Sequence, residues 1–227
     1  MSSQDASGAP LDELYRARFG DAASERARVW KILVDRCFQR YVPRDGAVLD
    51  IGCGWGEFIN AIDARERHAI DLNPDARTHV DAAVELHLQS CAERWPIGDG
   101  SLDAAFTSNF LEHLPDKRAL TATIDEALRC LKPGAPLVCL GPNIRCLPGA
   151  YWDFFDHHIP LSERSLAECL TSAGFAIERS VARFLPYTMS GKRPPPSFAI
   201  RAYLALPLAW PLFGRQFLVV ARKPAAR

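Results

Sequence analysis

Val48-Leu49-Asp50-Ile51-Gly52-Cys53-Gly54-Trp55-Gly56-Glu57-Phe58 is the stretch on which the fold turns. An apolar run enters three alternate glycines, and a new element opens behind them. Glycine lets a backbone crowd a bound ligand where a Cβ would clash. Successive backbone N–H groups at a helix start favour a carboxylate or phosphate. A second expected strand, Arg67-His68-Ala69-Ile70, ends in Asp71. An acid at such a strand end can accept hydrogen bonds from ribose hydroxyls. Together these features point to a nucleoside-containing cofactor. The spacing Gly52-x-Gly54-x-Gly56 differs from the dinucleotide fingerprint G-x-G-x-x-G, and the Gly-Lys-Ser/Thr ending of a phosphate-binding P-loop is absent.

Working outward, strands are expected at 47–51, 67–70, 84–88, 102–106, 136–140, 175–184 and 216–221. Helices are expected at about 57–65, 116–130 and 161–173, the last capped by Ser162 with Ser165 close by. Strands alternating with helices of this length imply right-handed crossovers and a largely parallel sheet. Ahead of them, residues 11–40 carry helical periodicity in two pieces broken near Gly20-Asp21. Val29, Ile32, Leu33, Arg36 and Cys37 form one stripe of it. This divides the chain into an N-terminal helical lid or cap, residues 1–46, and a cofactor domain, residues 47–227. An insertion at about 186–214 precedes the last strand.

Composition sets limits. Of 227 residues, 48% are apolar, ample for one core, and the formal net charge is zero. Nothing in that balance draws the chain to nucleic acid. Seven cysteines at 37, 53, 91, 130, 139, 146 and 169 show no C-x-x-C pair, which reads as a reduced, cytoplasmic protein. No apolar run is long enough to span a bilayer, and the first thirty residues do not form a signal peptide. The charge is uneven, however. From Arg179 onward there are nine Arg and Lys and no Asp or Glu. That leaves open a solvated basic rim or an anionic partner, either a phosphorylated substrate or an acidic membrane surface.

Asp50, Gly52, Gly54 and Gly56 fill the fixed positions of D-x-G-x-G-x-G, and the chain here resembles the class I S-adenosylmethionine-dependent methyltransferases. Four further blocks match in order: 70–74, where an acid ends the second strand; 91–103, similar to D-A-E-x-L-P-F-x-D-x-S-F-D; 108–114, ending in a Glu-His pair and Leu114; and 131–135, Leu-Lys-Pro-Gly-Ala. The stretch 161–175 also resembles the helix ahead of the family's sixth strand. The likeness covers roughly 47–221. It implies an α/β, Rossmann-like, three-layer αβα fold. Its seven-stranded sheet would be mostly parallel, with an antiparallel last strand between the fifth and sixth. It also implies S-adenosylmethionine as cofactor. Gly52, Cys53 and Gly54 would then run under its methionine part, with Asp50 orienting the loop and Asp71 holding the ribose. Leu72 and Ala92 would flank the adenine, and Asn109 to His113 would pass the sulfonium. The family usually has Asp where Cys91 stands. A thiol is a poor acceptor, so either Glu93 or a backbone carbonyl would take the adenine amino group, or the adenine would be held less specifically.

Ligands of open α/β sheets bind beyond the carboxyl ends of the strands. Residues 141–160 fall there and include Tyr151-Trp152-Asp153-Phe154-Phe155-Asp156-His157-His158, aromatic and polar at once. Tyr15, Arg16, Arg18 and Phe19 would supply a lid. A hydroxyl acceptor needs a base, for which His is suited. The candidates are His157 and His158, then His113, with Asp153 or Asp156 orienting. No metal is expected. A softer resemblance, carried by D-F-F-D-H-H-x-P-L-S and F-L-P-Y-T, is to methyltransferases associated with bacterial surface-polysaccharide or glycolipid genes. It implies a small-molecule acceptor, a hydroxyl of a saccharide or glycolipid precursor, anionic or lipid-linked. The alternatives are a lipid or quinone-like acceptor and a non-catalytic S-adenosylmethionine-binding module. For the insertion three uses stay open: a cover over the sheet that closes the acceptor pocket, a homodimer contact, and a peripheral contact with the inner face of a membrane.

Overall fold

A computed structural model describes residues 23–149, 151–187 and 194–225. The lid residues Tyr15 to Phe19, the break at Gly20-Asp21, and Lys192-Arg193 lie outside the described residues. The chain order is α1 (Ala23–Leu33), β1 (Ala47–Ile51), α2 (Glu57–Ala61), β2 (Glu66–Asp71), β3 (Glu85–Leu88) and β4 (Ala104–Ser108). It continues through α3 (Lys117–Cys130), β5 (Pro136–Pro142), α4 (Glu163–Ser172), β6 (Ala176–Leu185), α5 (Ser197–Ala205), α6 (Trp210–Phe213) and β7 (Gln216–Arg222).

The seven strands form one sheet in the order β3-β2-β1-β4-β5-β7-β6. β7 alone runs antiparallel, between β5 and β6, as the resemblance implies. Every residue of β1 and β5 is buried, as expected for strands covered on both faces. One face of the sheet carries Leu49, Ile51, Ile70, Leu137 and Val219 and packs on α3 and α4. The other carries Val48, Phe106, Val138, Phe184 and Val220 and packs on α1, α2 and the insertion. Phe106 stacks on Phe58 with centroids 3.7 Å apart and meets Phe38 edge-on at 5.0 Å. Each such buried aromatic contributes about 1.5–3 kcal/mol.

Local signals explain most boundaries. Asp116 caps α3 by accepting from Ala119 N–H, and Ser162 with Ser165 forms a reciprocal capping box at α4. A cap of this kind is worth roughly 1 kcal/mol. Two boundaries differ from expectation. The fourth strand covers 104–108, not 102–106. The Asp103 carboxylate accepts from Ala47 N–H (2.9 Å) and pairs with Lys132 (2.7 Å), while Leu102 bridges to Leu131 at the end of α3. That anchoring holds 102–103 outside the ladder. The helix after the glycine loop ends at Ala61 instead of 65. The Gln39 side chain there bonds both Asp63 N–H and Asp63 C=O and pulls the chain out of the helix. After α1 the chain continues as a π-helical turn, Val34–Phe38, which buries Val34, Cys37 and Phe38.

Candidate active site

The glycine loop is tied to the end of β2. Gly52 N–H and Cys53 N–H both donate to Ile70 C=O (2.8 and 3.2 Å), and Gly54 N–H donates to Asp71 Oδ2 (2.7 Å). Asp71 Oδ1 accepts from Asn73 N–H at 2.8 Å. These amides are therefore occupied by the protein itself, and the glycines serve close approach and turn geometry. Gly52, Gly54 and Gly56 hold φ of +68°, +54° and +72°, the left-handed region that favours glycine. A Cβ at Gly52 would lie 2.1–2.7 Å from the Phe110 ring, whereas one at Gly54 would meet nothing within 4 Å. Asp50 is 3% exposed. Burial, then the nearby Glu57 and Asp71 carboxylates, push its carboxyl well above the usual range. Burial likewise raises the Cys53 and Cys91 thiols, which makes them unreactive.

At the positions expected to meet the adenine, Leu72 is 72% exposed just past the end of β2, and Glu93 is exposed. Ala92 is half-buried, and its N–H donates to Ser90 Oγ at 3.3 Å. Cys91 is buried, and its carbonyl already accepts from the Trp95 indole at 2.9 Å. Of the two substitutes for the family's Asp, Glu93 is thus the freer.

The loop after β4 carries the other half. Asn109 holds φ +49°, the one non-glycine with positive φ among the described residues, and its Oδ1 is buried without a hydrogen-bond partner there. A strained residue that presents an unsatisfied acceptor beside the glycine loop fits a polar ligand. The Gly52–Phe110 approach, the Asp71 carboxylate and exposed Leu72 border the same loop, the candidate cofactor cradle.

Glu112, 2% exposed, accepts from Tyr151 Oη at 2.6 Å, while its carbonyl accepts from His158 and Ile159 N–H (2.8 and 3.1 Å). This anchor brings the 143–160 loop onto the β4 end. Burial and the Glu112 carboxylate push the Tyr151 phenol above its ordinary value, so it stays a donor. His113 Nδ1 lies 3.2 Å from Asp156 Oδ2 and 3.1 Å from the Asp156 carbonyl. His157 Nδ1 lies 2.6 Å from Tyr151 C=O. A carbonyl only accepts, so Nδ1 of each ring is the donor, and in a neutral ring Nε2 is then the acceptor. The two rings meet edge-to-face at 4.8 Å. Tyr187 closes the wall against Tyr151 at 4.9 Å. Of the expected bases, His113 and His157 come together with Asp156, while His158 lies exposed and Asp153 is exposed. His113, Asp156 and His157 also offer ligand atoms within 4.8 Å of one another, a spacing that could hold a cation. The sequence places Glu112 in the segment expected to pass the sulfonium but gives no sign of its bond to Tyr151.

Residues 22–180 match the methyltransferase domain family. A probable S-adenosylmethionine-dependent methyltransferase of Mycolicibacterium smegmatis is 31% identical over 161 residues, covering 68% of this chain and 60% of that one. A ubiquinone biosynthesis O-methyltransferase of Xylella fastidiosa is 35% identical over 106 residues, 42% of each. The chain thus spans about half the length of the curated relatives it matches. A crystal structure of a SAM-dependent methyltransferase from Archaeoglobus fulgidus superposes with a TM-score of 0.67 at 23% identity, covering 93% of this chain and 99% of that one. The chain belongs to the class I S-adenosylmethionine-dependent methyltransferase family, with S-adenosylmethionine as its cofactor.

Proposed function

We propose that this protein transfers the methyl group to a hydroxyl of a small molecule, a saccharide or glycolipid precursor. The observation that carries the reading is the paired His113 and His157 beside the cofactor cradle, with Nδ1 of each donating to the 143–160 loop and Nε2 left to accept. When bound, S-adenosylmethionine supplies an electrophilic methyl group on its sulfonium. Asp71 and Leu72 would hold the ribose and adenine, and Gly52, Cys53, Gly54 and Asn109 the amino-acid tail. Asp50 and Gly56 keep the loop's shape. The protein's own part is to orient the acceptor in line and take its proton at Nε2, with Asp156 stabilising the resulting His113 cation. Half-buried Trp152 and exposed Phe155 present ring surface suited to the C–H face of a sugar. The seven cysteines are unbonded, which suits a reducing compartment such as the cytoplasm. Among the described residues no helix is long and apolar enough to cross a membrane.

Labelled-methyl transfer into saccharide and glycolipid fractions tests the proposal. His113→Ala or His157→Ala is expected to cut turnover by about 10²–10⁴-fold, with S-adenosylhomocysteine affinity unchanged and His158→Ala near wild type. If neither variant loses even tenfold, the base assignment fails. If no fraction accepts label despite cofactor binding, the chain is a binding module. A quinone-like acceptor is the second reading, favoured by the likeness to the ubiquinone O-methyltransferase. Transfer to a catechol in place of a sugar would select it.

A further inference from the structure

The insertion covers the sheet with one side and leaves the other strongly apolar. Trp210 and Leu204 are buried, Trp210 meets Phe184 at 4.9 Å, and Tyr203 Oη donates to Phe184 C=O at 2.7 Å. These contacts fix the segment firmly to β6. Yet Phe198, Leu206, Leu208, Leu212 and Phe213 are 55–86% exposed, and they are five of the seven large apolar side chains exposed among the described residues. A concentration of this kind marks an interaction surface.

The charges around it indicate the occupant. Arg40 and Arg179 line, with Cys37, Leu204, Pro207 and Trp210, a cavity of about 170 Å³, and the Arg179 guanidinium lies 5.5 Å from the Trp210 ring centre. Arg183 reaches Pro211 C=O, and Arg201 is exposed on α5. None of these four arginines is in an ion pair among the described residues. From Arg179 to the last residue the sequence has no acid to pair with them. A two-fold contact between copies would press this basic rim against itself. An anionic bilayer surface satisfies both halves, taking the leucines and phenylalanines below the headgroups and the guanidiniums among them. We infer that residues 197–213 dock the protein on an anionic lipid surface. The inference does not depend on the identity of the acceptor.

Flotation of the full chain with vesicles tests it. The protein is expected to rise with equal-part phosphatidylglycerol–phosphatidylcholine vesicles at low salt, to be released at high salt, and to stay down with phosphatidylcholine alone. The double variant Leu208→Glu, Leu212→Glu is expected to lose at least about tenfold in partitioning. Arg201→Gln, at an exposed position on α5, should lose about fivefold. Both should keep the wild-type melting temperature and S-adenosylhomocysteine affinity, because the altered side chains are at the surface and away from the cofactor cradle. Absence of flotation at every salt concentration overturns the proposal, as does wild-type flotation by the double variant. A dimer in light scattering that the double variant dissociates, with no vesicle binding, assigns the patch to a second copy instead.

Discussion

Replacing Tyr151 by Phe removes one hydroxyl and tests the anchor that holds the loop after β5 against the end of β4. The Tyr151–Glu112 bond is 2.6 Å long, and the Glu112 residue is only 2% exposed, so the carboxylate cannot recover a full water shell when the hydroxyl is lost. Leaving a buried acceptor unsatisfied costs about 1–3 kcal/mol. At roughly 2–4 °C per kcal/mol for a domain of this size, the melting temperature should fall by about 2–12 °C. The Tyr151 carbonyl also orients His157, so loosening the loop should lower turnover more than cofactor affinity. Glu112→Gln keeps an acceptor oxygen opposite the phenol and should cost less than Tyr151→Phe. A thermal-melt double-mutant cycle separates the pair from its surroundings. If Tyr151→Phe melts with the wild type, or if the two changes are additive, the bond does not hold the loop and the reasoning is wrong.

Gly52→Ala should abolish S-adenosylhomocysteine binding in calorimetry, because the added methyl meets the Phe110 ring. Gly54→Ala, with open space but a positive φ, should keep binding at a strain cost of roughly 1–2 kcal/mol; equal losses at both positions would contradict this. Asp50 has a folded-state pKa above its unfolded value, so it favours folding at low pH. That contribution is lost as pH rises from the unfolded value, about 4, through the folded one. Asp50→Asn should therefore melt higher than wild type at neutral pH without cofactor, the gain shrinking toward acid, while weakening cofactor-product binding; a pH-independent difference would count against it. Arg129 bonds Glu126, Asp99 and the carbonyls of Ile97 and Trp95. Arg129→Met should cost about 3 kcal/mol or more by denaturant unfolding, and a loss no larger than an exposed pair's, about 1 kcal/mol, would show that the network is slack.

The features legible in the chain were the local ones. The strand–glycine–helix order from 47 onward, the cap at Ser162, and the acid at Asp71 each announce themselves within a few residues. The position of β7 came through family resemblance, since nothing in 216–221 by itself says which neighbours it takes. The shift of β4 was hidden because it depends on Asp103 reaching Ala47, far away in sequence. The same is true of the site. The Glu112–Tyr151 and His113–Asp156 contacts join residues 39 and 43 positions apart, and no periodicity encodes them. That the loop amides would be taken by Ile70 and Asp71 was equally invisible, because a glycine pattern signals conformational freedom and not the partner of each N–H.

The apolar face completed by the insertion joins the two ends of the described chain. Arg28 on α1 donates to Ser197 Oγ at 2.7 Å, and Phe38, Phe184 and Trp210 share one cluster. During synthesis the helix bearing Ile32, Val34 and Phe38 leaves the ribosome long before residues 197–218 exist. Early partners such as Phe58 and Phe106 cover part of its apolar side, but the part that meets Phe184 and Trp210 must wait for them. Truncation or stalling ahead of residues 197–218 should thus yield a chain that has paired its first strands but still shows this part of the face to solvent. That species would be a natural client for chaperones and, without them, a seed for aggregation.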